Sequence, residues 1–393
     1  MYDIAVDAFL STYAVSISVD LGRTLVESAL NFMKDERTLS TLSPKECAFV
    51  IPCHNSADVI NETLNSLPDY PIYCVANACT DNTEDIISSH ERATLISTVE
   101  PGKIRAVLLG AQRAKQAGYT HFILVDDDVL WPTNAAGDHL EIGVYDKGTS
   151  CTALPVLPDL KRERSWMTQS QFVEYAMMVI SKRSQALLGN VIMASGAAGI
   201  FNIDNFLTSM TKHDGEHVGD DLQTSFIFHT LGFKIDFNSA LTIKTHVPKN
   251  LKTWWSQRVK RWEPSPIFNF IWHLNIIFSP LGVGPGWWIR CIAYYRILVV
   301  KLDMIRFFTL PFVLLSRPTL FLGVLAISYL SILCKVLVFK RFFEYKSLNI
   351  LTLLSYPVYG ALCWFSRVWS LPRGLKLLFR YWILQKRKTL IEG

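Results

Sequence analysis

Two common patterns are missing from this sequence of 393 residues. Its eight cysteines form no Cys-x-x-Cys pair and no Cys/His cluster at zinc spacing, which argues against a zinc site and indicates reduced thiols. The first 42 residues contain no basic stretch followed by an apolar one. That absence argues against a cleaved signal peptide and predicts a catalytic region that stays in the cytosol. Repeats and low-complexity segments are absent too, so one large domain or two ordinary ones are expected.

Acidic residues are scarce in the rear of the chain. From Glu263 onward there are 16 Lys and Arg against 4 Asp and Glu, although the whole chain carries 39 and 34. The hydrophobic share of 50% and the mean hydropathy of +0.22 are high for a soluble enzyme. Basic residues beside apolar segments suit an anionic membrane leaflet, and a nucleic-acid partner is the weaker interpretation. We therefore expect an integral protein of the plasma or cytoplasmic membrane that contacts the lipid bilayer and no nucleic acid.

Several apolar segments of the rear are candidates for membrane helices. Thr319–Phe339 carries a single charge and Leu348–Phe365 carries none, and both are near the length of a bilayer span. Ile297–Ser316 has three charges in its first half, so it fits either a span or an interfacial helix. Ile267–Ser279 and Pro372–Lys388 mix aromatic with polar or basic residues, as helices in the headgroup region do. The rear is thus expected to cross the membrane two to four times.

The N-terminal segment carries an apolar stripe at helical spacing. Leu25, Ala29 and Met33, with Leu21 and Leu30 beside them, predict an amphipathic helix. Such a helix can dock on the chain's own domain, on a partner or on the bilayer surface, and docking on its own domain is the commonest outcome. We expect no membrane-spanning helix ahead of the catalytic region.

Short β-like runs alternate with helical stretches from Cys47 onward. Runs such as Cys47–Pro52, Ile72–Ala76 and Phe122–Val125 are separated by stretches such as Ile104–Ala117. This alternation predicts an α/β sheet of βαβ units, whose ligands bind beyond the carboxyl ends of the strands. The loops after these runs are polar, and they are where chemistry is expected.

Three motifs stand at places that suit such chemistry. Asp126-Asp127-Asp128 ends an apolar run, and an oxygen-rich cluster suits Mg²⁺ or Mn²⁺ bound to a diphosphate, although a solvated acidic turn is the plain alternative. Asp220-Asp221 precedes a helical start, where an aspartate can equally cap the helix. The segment 254–262 joins tryptophans to basic residues, and it could instead anchor a helix at the membrane.

Taken in order, these motifs resemble those of family 2 glycosyltransferases, and more narrowly the membrane synthases of cellulose, chitin and hyaluronan. The resemblance covers about residues 47–262 and rests on six motifs. They are Ile51-Pro52-Cys53-His54-Asn55, the nucleotide loop from Asn77 to Thr83 with Asp81, Asp126 to Asp128, Ser195-Gly196-Ala197-Ala198-Gly199, Asp220-Asp221, and Arg258-Val259-Lys260-Arg261-Trp262. The resemblance implies a GT-A-type, Rossmann-like mixed sheet with flanking helices over residues 46–262. An N-terminal helical segment, 1–45, would precede this domain, and interfacial and transmembrane helices, 263–393, would follow it.

The resemblance also implies a role for each motif. Asp221, with Asp220 beside it, would be the base that takes the proton of the acceptor hydroxyl as the anomeric configuration inverts. Asp126 and Asp128 would hold Mn²⁺ or Mg²⁺, and Gly196, Ala197 and Trp262 would contact the acceptor. The nucleotide and its diphosphate would be bound by Pro52, Asn55, Asn77, Asp81, Lys103, Asp126, Arg258 and Arg261. Lys103 fits an exposed turn nearly as well, and Trp262 has an interfacial anchor as its alternative.

One position departs from the family pattern, since Asn77 stands where an aspartate is usual. An amide both donates and accepts hydrogen bonds, so uridine binding remains chemically feasible. Asn77 is also the main support for a non-catalytic scaffold subunit, whereas Asp126, Asp128, Asp221, Arg261 and Trp262 favour an enzyme.

Two enzymatic interpretations remain open. The leading one is repeated transfer from a nucleotide sugar, a UDP-sugar by preference, to a growing polysaccharide that leaves through the protein's own helices. The other is a single transfer to a membrane lipid. Two or three spans are few for a polysaccharide channel, which would then need a homo-oligomer to enclose it.

Overall fold

The computed structural model describes residues 2–213, 219–272, 286–340 and 348–391. Its strands are β1 (Ser40–Thr41), β2 (Cys47–Cys53), β3 (Ile72–Asn77), β4 (Ala93–Thr98), β5 (His121–Val125), β6 (Val129–Leu130), β7 (Gly143–Val144), β8 (Cys151–Ala153), β9 (Val156–Pro158), β10 (Ala198–Asn202), β11 (Ile235–Phe237) and β12 (Ile243–Thr245). The helices of the front part are α1 (Tyr2–Phe32), α2 (Ile60–Ser66), α3 (Thr83–Ser88), α4 (Lys103–Gln116), α5 (Trp166–Leu187), α6 (Ile203–Met210), α7 (Asp220–Thr230) and α8 (Leu251–Gln257). A short π-helix (Arg258–Trp262) leads to α9 (Pro264–Trp272), α10 (Trp287–Ser316), α11 (Pro318–Lys340) and α12 (Ile350–Ile391).

A seven-stranded mixed sheet in the order β11-β8-β10-β5-β2-β3-β4 forms the centre of the front part. Strands β5, β2, β3 and β4 are parallel, and the helices between them make the crossovers that parallel pairing requires. Strand β10 runs antiparallel to β5, with Ala198 opposite Val125. The predicted α/β sheet of βαβ units is therefore confirmed, and the antiparallel part makes it a mixed sheet.

Helix α4 lies close against this sheet because it contains a glycine at the contact. A Cβ added at Gly110 would come within 2.4 Å of Val50 Cγ1 on β2. Such a distance is far below van der Waals contact, so a larger residue would push α4 away from the strands. The close contact fixes the start of α4, and with it Lys103, beside the carboxyl ends of the strands.

The C-terminal half of helix α1 packs against the rest of the chain with its polar side, whereas the N-terminal half buries the apolar residues Val6 and Phe9. Thr24, Glu27, Ser28 and Asn31 are all at least 92% buried, and the Asn31 amide nitrogen donates to Ser184 Oγ of α5 at 2.7 Å. Other apolar residues of α1 are exposed: Ile4 (74%), Leu21 (46%), Leu25 (72%), Val26 (45%) and Phe32 (61%). The helix does dock on its own chain, but the expectation that its apolar stripe makes the contact is wrong.

Two described helices contain segments long and apolar enough to cross a membrane, Asp3–Phe32 and Pro318–Val338. The first lies ahead of the catalytic region, where we expected no membrane-spanning helix, and it has the length and composition of a candidate span. The second coincides with the expected span at Thr319–Phe339. Two other expected spans stay predictions: Ile297–Ser316 falls within α10, and Leu348–Phe365 begins two residues before α12 and continues into it. Of Ile267–Ser279, only the residues up to 272 lie in the described part of the chain.

The rear helices share the outward apolar surface of α1. Phe308, Leu315 and Leu322 are 66%, 79% and 63% exposed, whereas Asp303 and Arg306 of α10 are 2% and 8% exposed. Charged groups inside a bundle and apolar groups outside are typical of helices whose surroundings are lipid.

Candidate active site

Three carboxylates stand at the carboxyl edge of the sheet. Strand β5 is buried along its whole length and is followed directly by Asp126, Asp127 and Asp128. The amide of Asp126 donates to the carbonyl of Ala197 at 3.0 Å, just before β10 begins. The expected metal motif and the expected acceptor motif are therefore neighbours at the edge where ligands of α/β sheets bind.

Lys103 lies among these groups, at the first residue of α4. Its ammonium forms an ion pair with Asp126 and donates to the carbonyl of Gly196 at 2.9 Å. Burial acts to lower the pKa of Lys103, but the charge of Asp126, the hydrogen bond to it, and the charges of Asp221 and Asp127 together raise that pKa. Lys103 is thus electrostatically coupled to both acidic motifs, although they are 95 residues apart in sequence.

The surroundings of Asp127 and Asp128 raise the pKa of both carboxyl groups. Asp127 accepts hydrogen bonds from the hydroxyl of Ser56 and from the amide of His54, the latter at 3.3 Å. Burial raises the pKa of Asp127 above its ordinary value, although the Ser56 hydrogen bond opposes this. Burial, reinforced by the charges of Asp126 and Asp127, raises the pKa of Asp128 to about 7. The site therefore carries more negative charge than its own groups neutralise.

A divalent cation fits this excess of charge. Within the described ranges no three His, Cys, Asp or Glu side chains converge into a ready-made metal cage. Mg²⁺ at nucleotide sites is commonly held by one or two carboxylates, with phosphate oxygens and water as the other ligands. Asp126 and Asp128 supply such a partial ligand set, and a cation would offset both the burial and the neighbouring negative charges that raise the pKa of Asp128.

The expected nucleotide loop lies beside the triplet, at the ends of β2 and β3. Asn77 is 5% exposed, and its Oδ1 has no hydrogen-bond partner among the residues that the structure describes. Asn55 has a positive φ of 54°, and its Oδ1 accepts from the amide of Thr80 at 2.7 Å. Pro52 is buried within β2. A buried amide oxygen without a partner costs free energy unless a ligand donates to it, so Asn77 is the residue of this loop most suited to contact a base.

Asp81 is already engaged in holding the loop together. Its Oδ1 accepts from the hydroxyl of Thr83 at 2.6 Å, and its Oδ2 accepts from the amide of Ala57 at 3.2 Å. The Thr83 hydrogen bond, above all, lowers the pKa of Asp81. The structure therefore gives Asp81 a part in shaping the loop, and its expected contact with nucleotide stays a prediction.

The second acidic motif begins α7 and reaches the same site. Gly219, with a φ of 96°, is the residue before the helix, so Asp221 lies inside the first turn and is not the capping residue. The carboxylate of Asp221 lies so close to Gly196 that a Cβ there would be 2.9 Å from Asp221 Oδ2. The interpretation of Asp221 as a helix cap is thereby weakened, and its place beside Gly196 and Lys103 is what a base at an acceptor site requires.

Arg258 does not extend toward the aspartates. Its guanidinium forms a two-pronged ion pair with Glu174 of α5, and Arg258 is 3% exposed. Tyr359 of α12 joins the pair, since its hydroxyl donates to Glu174 Oε2 at 2.6 Å and accepts from Arg258 Nη2 at 3.1 Å. Arg258 is thus already paired in this structure, and its expected contact with the diphosphate stays a prediction.

Two further residues of that motif, Trp262 and Arg261, differ from Arg258 in their surroundings. The ring of Trp262 packs against Tyr175 of α5, with 5.7 Å between ring centroids. Burial raises the pKa of Tyr175, Arg258 opposes this, and the charges of Glu174, Asp128 and Asp126 add to the increase. Tyr175 therefore contacts Trp262 and is also influenced by the charges of the triplet. Arg261 is exposed, so its guanidinium can turn toward a ligand.

Helix α5 carries three functional candidates that the motifs do not include. These are Glu174, Tyr175 and Lys182. Burial lowers the pKa of Lys182 to about 8, although the negative charge of Asp221 acts in the opposite direction. A signal was present in the sequence, because Glu174 is the only charged residue between Trp166 and Ser181. A single charge in a long uncharged helical segment indicates a buried pair, but it does not name the partner.

Comparisons with known proteins agree with this site. A family model described as glycosyltransferase like family 2 matches residues 44–263. The chain belongs to this family. Curated relatives of the family 2 glycosyltransferase include poly-beta-1,6-N-acetyl-D-glucosamine synthases of Staphylococcus aureus, 26% identical over 224 residues in strain MSSA476 and 25% in strain COL. The match covers 54% of this chain and 53% of the relative, so the chain spans about half the length of these relatives.

A solved structure of similar fold is a mannosyltransferase from Pyrobaculum calidifontis in complex with GDP-Man and Mn²⁺. The likeness has a TM-score of 0.53 at 17% identity, and it covers 97% of this chain and 99% of that one. At this identity the likeness concerns the fold alone. The GT-A-type fold expected for the family 2 glycosyltransferase is confirmed, and the likeness extends over nearly all of the chain.

Proposed function

We propose that this glycosyltransferase transfers a sugar from a UDP-sugar to a growing polysaccharide with inversion at the anomeric carbon. The observation that carries the proposal is the meeting of Asp126, Asp128, Lys103 and Asp221 at one edge of the sheet. The similarity to polysaccharide synthases supports a polymer as product, and the unpartnered amide oxygen of Asn77 supports a base such as uracil, which presents an N–H donor.

In the proposed reaction, Asp221 accepts the proton of the acceptor hydroxyl. The acceptor oxygen forms its bond to the anomeric carbon while the bond from that carbon to the diphosphate oxygen breaks. The nucleoside diphosphate leaves with the electron pair of that bond, and attack from the opposite side inverts the configuration. A positioned base of this kind contributes about 10²–10⁴-fold to the rate.

The negative charge that develops on the diphosphate needs fixed cations nearby. Lys103 and the exposed Arg261 are the side chains that we assign to it. A divalent cation, Mn²⁺ or Mg²⁺, held by Asp126 and Asp128 would neutralise part of the same charge. Trp262, supported by Tyr175, would give a flat face for the acceptor sugar beside Gly196 and Ala197.

We also propose that the enzyme is embedded in the membrane, with the catalytic domain, 46–262, in the cytosol. The outward apolar residues of α1 and of the rear helices support this, as do the charged residues enclosed between them. The basic excess after Glu263 supports a cytosolic face, because Lys and Arg are retained on that side.

One assay distinguishes the proposed function from its alternatives. Detergent-purified protein is incubated with Mn²⁺ and labelled UDP-sugars, with GDP-mannose as a further donor, and nucleoside diphosphate release and product size are followed. We expect a high-molecular-weight product from a UDP-sugar. A lipid-soluble product would instead identify a single transfer to a lipid, and no turnover with any donor would identify a non-catalytic subunit.

A single substitution tests the base. Asp221→Asn should abolish transfer while UDP binding stays nearly intact, because the amide cannot take the proton but fills the same space. Asp204→Asn is the matched control, since Asp204 is an exposed carboxylate that pairs with Lys115 at 2.6 Å away from the site. If UDP binding were lost together with transfer, Asp221 would have a structural role.

A further inference from the structure

A groove lies where α5 begins, between this helix and the rear helices α11 and α12. Its volume is about 680 Å³, and none of the residues that line it is acidic. The indole nitrogen of Trp166 donates to Ser355 Oγ at 2.8 Å, and the amide of Asn349 donates to Gln169 Oε1 at 2.9 Å. These bonds tie the walls together, so the groove is a formed feature, and its size is within the range of ligand pockets.

One end of the groove carries an uncompensated positive charge. Arg164 lines the groove, and it makes no hydrogen bond or ion pair within the described part of the chain. The neighbouring charges of its loop are already satisfied, because Arg162 pairs with Glu62 at 2.6 Å and Glu163 pairs with Lys249 at 3.7 Å. Arg164 is therefore available to an external anion.

The wall formed by α12 is apolar and exposed. Leu351, Leu354 and Val358 follow the i, i+3, i+7 spacing of one helix face, and they are 66%, 42% and 56% exposed. Tyr329, on the opposite wall, comes from α11, the rear helix that is apolar enough to span a membrane. A continuous apolar strip of this kind needs an apolar neighbour.

We propose that this groove binds one anionic phospholipid, with its phosphate at Arg164 and an acyl chain along Leu351, Leu354 and Val358. A cation at the end of an apolar strip complements an amphiphile with an anionic head. The inference rests on the membrane placement proposed above, in which α11, apolar enough to span a membrane, brings the groove to the bilayer. The groove is distinct from the catalytic site. Trp166 and Tyr175 are nine residues apart on α5, which is about 14 Å at 1.5 Å per residue.

Lipid retention measured by native mass spectrometry tests the proposal without any sugar transfer. Delipidated full-length protein in a neutral detergent is incubated with equal amounts of dioleoyl phosphatidylglycerol and dioleoyl phosphatidylcholine. We expect preferential retention of one phosphatidylglycerol, and a loss of about fivefold in that preference for Arg164→Gln, the usual effect of one basic residue at a membrane surface. Leu354→Ser should weaken retention of both lipids.

The control is Lys115→Gln, which removes another exposed positive charge outside the groove and should leave the preference unchanged. Soluble glycerol phosphate is tested separately and should not compete, because it lacks the acyl chain. The proposal is overturned if the intact protein retains both lipids equally, if Arg164→Gln keeps the preference, or if glycerol phosphate competes fully. A copurifying polypeptide that is lost in Leu354→Ser would overturn it as well, since the groove would then be a protein interface.

Discussion

We expect Glu174→Leu alone to lower the melting temperature more than the replacement of both Glu174 and Arg258 by apolar residues. Glu174→Leu leaves the guanidinium of Arg258 buried, at 3% exposure, without its carboxylate. Loss of one partner of a buried pair costs about 3–5 kcal/mol, whereas replacing both partners by apolar residues is often neutral or stabilising. At about 2–4 °C per kcal/mol for a domain of roughly 200 residues, the single variant should melt about 10 °C below the unaltered protein.

The measurement is a thermal melt in detergent of Glu174→Leu, Arg258→Met and the double variant. Glu62→Leu is the matched control, because Glu62 also pairs with an arginine, Arg162 at 2.6 Å, but on the surface, where such pairs contribute about 1 kcal/mol or less. We expect the double variant to regain most of the melting temperature that Glu174→Leu loses. Equal losses in the single and double variants would refute the reasoning, and so would a Glu174→Leu melt like that of the unaltered protein.

The same double variant tests the expected contact of Arg258 with the diphosphate. If Arg258 is committed to Glu174, the affinity for UDP should be unchanged in the double variant, and the diphosphate contact belongs to Arg261. A clear loss of UDP affinity, with the melting temperature restored, would show that Arg258 leaves its partner when nucleotide binds.

Three further predictions concern single residues. Asp128→Ala should abolish the Mn²⁺-dependent part of UDP binding, and unchanged binding in a titration with Mn²⁺ would exclude Asp128 from the metal site. Gly219→Ala should lower the melting temperature, because φ is 96° there and a Cβ would lie 1.7 Å from the Ser265 hydroxyl; Ser265→Gly should recover part of the loss. Lys182→Met should stabilise the protein at pH 7 by up to about 3 kcal/mol, because burial lowers the pKa of Lys182 to about 8 and the cation is costly. Between pH 8 and about 10.5, the folded protein with Lys182 binds fewer protons than its unfolded state, so its stability rises with pH. The gain from Lys182→Met should therefore shrink as pH rises through that range, which denaturant unfolding at pH 7 and 9.5 can measure.

The parallel half of the sheet could be predicted because its strands are apolar runs that end at polar loops. Strands β8 and β11 have three residues each, and their pairing depends on neighbours far away in the chain, so no local pattern predicts them. Five of the six motifs lie at the ends of strands or at the start of α7, and they predicted which residues gather at that edge of the sheet. The sixth motif, Arg258–Trp262, lies in the π-helix after α8, and its Arg258 pairs with Glu174 instead. No motif pointed to Glu174, whose partner is 84 residues further along.

The orientation of α1 could not be predicted for a different reason. Helical periodicity shows that Leu25, Ala29 and Met33 share a face, but it does not say whether that face meets protein or lipid. In water such a stripe turns inward, and in the bilayer it turns outward. The polar face with Glu27 and Asn31 was the informative one, because buried polar groups need partners and α5 supplies them.

The hydroxyl of Tyr359 has a consequence for attempts to study the front part alone. It accepts a hydrogen bond from Trp254 at 3.0 Å as well as contacting Glu174 and Arg258, so one side chain of α12 completes the packing beneath the Arg-x-x-Arg-Trp motif. A shortened chain that stops at residue 262 would expose Trp254 to water and leave a half-solvated ion pair next to Trp262. The rear helices therefore act as part of the catalytic domain's own interior, and activity lost on truncation would not by itself mean that the membrane is needed for chemistry.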